Sequence, residues 1–145
     1  MERDMVFVEW RDDYNINVAT VDQQHRSLVE LINKLHESLE RGDDREEIGN
    51  VFRALVDYTI YHFAEEEKLM ANSHMPDLDD HQARHRQFTA RLSDLLVQWG
   101  MGEEIDTTDL LEYLKSWLVR HILVDDMAIG KHLARATSRS TTTSR

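Results

Sequence analysis

The chain has 145 residues, with 17 Lys and Arg against 28 Asp and Glu and a formal charge of −11 at pH 7. That balance disfavours nucleic acid and anionic membranes as partners, since both reward clustered cations. It contains no cysteine, which excludes disulfides, iron–sulfur clusters and thiolate-held zinc, so any metal must be held by imidazole and carboxylate.

A hydrophobic content of 41%, five Gly and one Pro suit one helical domain large enough to bury a core. No stretch approaches the roughly 18 apolar residues of a membrane span, and the opening lacks a basic segment followed by an apolar one. A cytoplasmic protein is therefore expected.

Residues 1–19, with Trp10 and Tyr14 among polar neighbours, read as an N-terminal arm laid over the domain. From 20 to 135 four seams follow the 4-3-4-3 spacing that places residues on one buried helix face. They run Val21, His25, Leu28, Ile32, Leu35, Leu39; then Ile48, Phe52, Leu55, Thr59, His62, Glu66, Leu69; then His81, His85, Phe88, Leu92, Leu95, Trp99; then Leu110, Leu114, Trp117, His121, Val124.

Stop signals separate them: Gly42 with Asp43 and Asp44, Pro76 with Asp77 to Asp80, and Gly100 and Gly102 before Thr107 or Thr108, either of which offers a cap. The pattern predicts an all-α, up-down-up-down four-helix bundle, whose core is where facing side chains build cofactor sites. Residues 136–145, rich in Ser, Thr and Arg, are expected to form a disordered tail.

Metal-ligand residue types interrupt every seam where core residues belong. A single inward histidine is most often a hydrogen-bonded core residue, but here there are five, His25, His62, His81, His85 and His121. Glu66, one turn from His62 and without a cation at core spacing, would be costly to bury ionised, and a divalent metal supplies the missing charge.

His36, His74 and His132 lie off the seams or near helix ends and are given no chemistry. Glu65 and Glu67 point about 100° to either side of Glu66, so they are expected to be solvated or to support the ligands from outside.

On the last seam the second carboxylate is open to two readings. Asp125, four residues after His121, is offset by only about 40° on an ideal helix, whereas Asp126 at five is offset by about 140°. Regular geometry picks Asp125; a local widening of the helix would admit Asp126. Five imidazoles and two carboxylates exceed the positions around one first-row ion, and two carboxylates are what would bridge a pair. The mixture of donors suits iron.

The segments Val21-Asp22-Gln23-Gln24-His25 with Leu28, Tyr58-Thr59-Ile60-Tyr61-His62-Phe63 through Glu66-Glu67 to Met70, His81 to His85, and Trp117-Leu118-Val119-Arg120-His121-Ile122 with Asp126 together resemble the hemerythrin family. The likeness is greatest to single-domain bacteriohemerythrins and spans roughly Trp10 to His132. It implies two iron ions, one on His81, His85 and His121 and the other on His25 and His62. Glu66 and Asp126 would bridge them beside an oxo or hydroxo group, and the family pattern, with its ligand five residues after the histidine, favours Asp126.

It further implies reversible O2 binding at the iron of His25 and His62, by a protein that carries, stores or senses O2. Leu28, Phe63, Phe88, Trp117, Leu118 and Ile122 are the expected apolar lining of that pocket, although ordinary core packing would equally explain Phe63 and Phe88. In the arm, Ile16-Asn17-Val18 departs from relatives that often carry Gly, and only a local loop change is expected.

Imidazole-rich ligation leaves less negative charge to stabilise high-valent iron than the four carboxylates and two histidines of ferritin-like bundles, so binding is expected over O–O cleavage. A di-iron enzyme of the peroxidase or nitric oxide reductase type, or an iron store, is the alternative. The chain is expected to be a monomer whose partner is O2, with room for a protein that receives it.

Overall fold

The computed structural model describes residues 7–143, with side chains described for 7–135. Among them there is no strand. Four helices build the bundle: α1 Ala19–Arg41, α2 Arg45–Asn72, α3 Leu78–Gly100 and α4 Thr107–Arg120. A π-helical segment, His121–Asp126, joins α4 to α5, Met127–Thr143. Residues 136–143 of the expected disordered tail continue α5, and 144–145 lie outside the described residues.

Each boundary has a local cause. Gly42, at φ +70°, closes α1 in the left-handed conformation, its N–H donating to Leu39 O at 3.2 Å. Asp44 then opens α2, its carboxylate accepting from Glu47 N at 2.9 Å. The cap of α4 is neither Thr107 nor Thr108 but Asp106, which accepts from Asp109 N at 3.0 Å. A carboxylate there also suits the positive end of the helix dipole.

Short connections make the helices antiparallel neighbours, α1 against α2 and α4, and α2 against α3. That topology decides where the chemistry collects. His25 lies early in α1 and His81 and His85 early in α3, whereas His62 and Glu66 lie late in α2 and His121 directly follows α4. Up-and-down alternation therefore brings all of them to one end. The other end is filled by Leu35, Phe52, Leu55, Leu92 and Leu114, each at most 1% exposed.

The arm, described from residue 7 on, contributes Val8, Tyr14 and Ile16 to the core, and its residues 1–6 lie outside those described. Asn33 on α1 holds it at both polar groups of one residue, Oδ1 accepting from Val8 N at 2.7 Å and Nδ2 donating to Val8 O at 2.8 Å. Buried Asp22 accepts from Ile16 N at 2.7 Å and Asn17 N at 3.1 Å. Asn17 sits at φ +68°, a conformation natural to glycine that asparagine tolerates best among the other residues. The turn at Asn17 is thus one that glycine would also adopt.

One seam ends differently from its expected course. Val124 is 59% exposed, and Asp126 and Ile129, both fully buried, take the inner face instead. The π-helical segment carries an extra residue in its turn, so the buried stripe is handed on one position later than an unbroken α-helix would place it.

Candidate metal centre

His25, His62, Glu66, His81, His85, His121 and Asp126 converge at the end of the bundle, each no more than 2% exposed. Glu66 stands between two sets of imidazoles. Its Oε1 lies 2.8 Å from His81 Nε2, 3.0 Å from His85 Nε2 and 3.3 Å from His121 Nε2, while Oε2 lies 3.2 Å from His62 Nε2 and 3.8 Å from His25 Nε2. Asp126 spans the same divide, with Oδ1 3.2 Å from His81 Nε2 and Oδ2 2.7 Å from both His25 Nε2 and His121 Nε2.

Asp125 turns outward from this cluster. It faces Arg84 Nε at 3.4 Å and His121 Nδ1 at 3.7 Å. An i→i+5 ladder from His121 to Asp126 returns the fifth residue, rather than the fourth, to the inner face.

Donor atoms of two overlapping groups lie within 4.8 Å of one another: His25, His62, Glu66, His121 and Asp126 in one, Glu66, His81, His85 and His121 in the other. His62 Nε2, His85 Nε2, His121 Nε2, Glu66 Oε2 and Asp126 Oδ1 are buried without a hydrogen-bond partner. Folded proteins seldom leave such atoms unmatched, because each forfeits its hydration. Five in one place, all facing inward, fit a site that can hold metal cations.

The outer faces of two imidazoles are fixed. His62 Nδ1 donates to Gln24 Oε1 at 2.7 Å and His85 Nδ1 donates to Glu67 Oε2 at 2.7 Å. With the proton on Nδ1, each Nε2 presents a lone pair to the interior, as a metal ligand requires. Glu67 is held in turn by Gln82 Nε2 at 3.2 Å. Gln24 carried no separate signal beyond its place before His25, and the position of Glu67 beside Glu66 left its role open between solvation and support.

The electrostatics follow from burial set against pairing. Burial opposes charge on His81, but the Asp126 and Glu66 carboxylates outweigh it and push the imidazole up to about 9. His121 is likewise held well above the usual histidine range, again against burial, by the charges of Asp126 and Glu66. Glu66 resists its own complete burial and lies well below the ordinary carboxylate range, chiefly through His121. His62, where burial prevails, is lowered.

A testable consequence concerns protons. Stability from the raised His81 is fully present below its unfolded value near 6.5 and is lost as pH rises through about 9. The metal-free chain should therefore lose thermal stability across that interval. A loaded chain, with cations in place of protons, should not. Metal uptake at pH 7 should also release the protons of His81 and His121, which a weakly buffered titration with an indicator dye measures.

Of the apolar residues expected to line a pocket, Leu28, Phe63, Phe88, Leu118 and Ile122 are buried and Trp117 is half-buried. Phe63 stacks on His85 with centroids 3.7 Å apart, and Trp117 stacks on His121 at 4.5 Å. Phe88 lies a layer further out, stacked on Trp117 at 3.7 Å. These three rings thus wall the side of His85 and His121. Of the histidines outside the cluster, His36 stacks on Phe7 at 4.9 Å, His132 Nε2 donates to Ser73 O at 2.8 Å and His74 is exposed.

Fold and site together define an up-and-down helical bundle with a buried histidine–carboxylate cluster able to hold metal. Residues 17–133 match the family model described as the hemerythrin HHE cation binding domain. The chain is 37% identical over 124 residues to a bacteriohemerythrin of Stenotrophomonas maltophilia, covering 86% of this chain and 80% of that one. It is 32% identical over 131 residues to a bacteriohemerythrin of Methylococcus capsulatus, covering 90% and 99%.

Among solved structures, a crystal structure of wild-type hemerythrin superposes with a TM-score of 0.82 at 32% identity, covering 88% of this chain and 98% of that one. The chain belongs to the hemerythrin family. No helix among its described residues is long and apolar enough to cross a membrane.

Proposed function

We propose that this protein binds O2 reversibly at two iron ions. His81, His85 and His121 would hold one, His25 and His62 the other, and Glu66 and Asp126 would be shared by both. The observation that carries this reading is the pair of carboxylates, each with its two oxygens directed to different imidazoles. A site for a single cation has no use for that division. When bound, ferrous iron supplies the electrons that O2 takes on binding and returns on release.

The chain's own residues do the rest. Two imidazoles against three leave the His25 and His62 side with the smaller donor set, where an exogenous ligand finds room. Leu28, Leu118 and Ile122, each at most 3% exposed, are the candidates for an apolar wall that keeps bulk water from delivering protons to a bound ligand. The imidazole-rich donor set supports binding over cleavage of the O–O bond.

An optical spectrum tests this. Iron-loaded protein reduced under argon should gain visible charge-transfer bands in air and lose them when purged again. Bands that argon cannot remove would point to an irreversibly oxidised centre and to an enzyme, and iron far above two per chain would indicate a store. Whether bound O2 is carried, stored, sensed or passed to a protein partner is decided outside this centre.

A further inference from the structure

The surroundings of the two imidazole sets differ in charge. Behind His85 stands a carboxylate, Glu67, in a 2.7 Å hydrogen bond, and behind His121 a second one, Asp125, at 3.7 Å. Behind His62, at the same 2.7 Å, stands the neutral amide of Gln24, and His25 Nδ1 is buried without a partner. A carboxylate accepting the outer N–H makes an imidazole a stronger electron donor and adds negative charge near the cation; an amide fixes the ring without adding charge.

We propose that the position formed by His81, His85 and His121 is built to take its cation first and hold it more tightly, and that Glu67 is the positioning residue that sets this order. The inference rests on the two-cation reading given above. Asp125 contributes less, because it stands further from its imidazole and shares its charge with Arg84 at 3.4 Å. Among the described residues Glu67 faces no such cation; its other oxygen accepts from the Gln82 amide at 3.2 Å.

The consequence for this molecule is an ordered assembly. The first cation settles among three imidazoles, two of which have outer carboxylates, Glu67 on α2 and Asp125 on the π-helical segment. It thereby fixes the inner oxygens of Glu66 and Asp126 that the second cation must share. Repulsion between two cations would by itself weaken the second step, so the order alone does not identify Glu67. Exchange of charge between the two outer partners does.

The experiment is an anaerobic calorimetric titration of the full chain with Fe2+, comparing the parent with Glu67→Gln and Gln24→Glu, each checked for helix content by circular dichroism. The parent should bind in two resolved steps. Glu67→Gln, which keeps an acceptor for His85 but removes its charge, should weaken the first step by roughly 10-fold, the lower end of what loss of such a partner costs, with a smaller change in the second. Gln24→Glu should strengthen the second step and narrow the gap.

Equal weakening of both steps by Glu67→Gln would mark a merely structural residue and overturn the inference, as would a Gln24→Glu chain whose second step is unchanged or weaker. Should Glu67→Gln not fold, the Gln24→Glu result alone decides. A parent chain that takes up fewer than two Fe2+ would overturn the two-cation reading itself, an outcome distinct from two steps indifferent to both substitutions.

Discussion

On the two-iron reading proposed above, Asp126→Ala should lose the metal held at the cluster, whereas Asp125→Ala should keep it. Asp126 is fully buried, with Oδ2 2.7 Å from imidazoles of both sets, His25 and His121, and Oδ1 3.2 Å from His81. On that reading its removal would take a donor from each cation at once. The affinity lost should exceed the roughly 10- to 100-fold that follows loss of an outer partner. Asp125 meets the cluster only at the outer nitrogen of His121, so its loss should fall within that smaller range.

The same substitution should also weaken the metal-free chain. Breaking a buried ionic cluster by deleting one partner costs about 3–5 kcal/mol, because the charges left behind stay buried and unmatched. For a chain of this length that corresponds to a melting point lower by roughly 10–16 °C. Iron analysis of purified variants and thermal melts of the metal-free forms check both statements. Retention of two ions by the Asp126 variant together with their loss from the Asp125 variant would reverse the assignment.

This pair of aspartates also marks the limit of what spacing reveals. The inward histidines and Glu66 were legible because α-helical periodicity holds through α1, α2 and α3, where each of them falls on a stripe of Leu, Ile and Phe. The bundle was legible for the same reason, since four such stripes with short connections leave few ways to pack. The last seam breaks down at His121, where the hydrogen-bond ladder changes step.

A fixed 100° advance per residue carries Val124 inward, yet it is 59% exposed. Nothing in His121-Ile122-Leu123-Val124-Asp125-Asp126 announces the extra residue, because a π-helical turn is favoured by what the turn must reach in three dimensions. Here that is His25 on another helix.

The outer partners were hidden for a related reason. Gln24 is bonded to a histidine 38 positions away and Glu67 to one 18 positions away. Such pairs depend on how two helices are rotated against each other, and a helical wheel drawn for either helix alone shows only a half-exposed polar residue. The capping of α4 by Asp106 differs in kind: threonine and aspartate both serve as caps, and the choice among neighbouring candidates rests on which side chain reaches the N–H of Asp109.

Gly130→Ala should destabilise the protein by about 1–3 kcal/mol while leaving its iron content unchanged. In the middle of a helix, replacing glycine by alanine ordinarily gains roughly 1 kcal/mol, so the expected sign is opposite to propensity. The reason is the arm. A Cβ on Gly130 would stand 2.1 Å from Ile16 O and 3.3 Å from Ile16 Cβ, and a backbone carbonyl cannot rotate away as a flexible side chain can. Either α5 shifts outward or the arm lifts, and forced repacking of this kind typically costs about 1–3 kcal/mol.

The arm cannot yield freely, because Ile16 is 2% exposed and its N–H is held by Asp22. Asp22 lies one turn before His25 on α1, so the clash reaches close to the histidine–carboxylate cluster without touching a donor atom. Thermal melts with and without iron, beside iron analysis, separate the two effects. Loss of iron in Gly130→Ala would show that the arm and α5 do more than cover the bundle, and that the position of His25 depends on the carbonyl of Ile16 lying flat against a residue without a side chain.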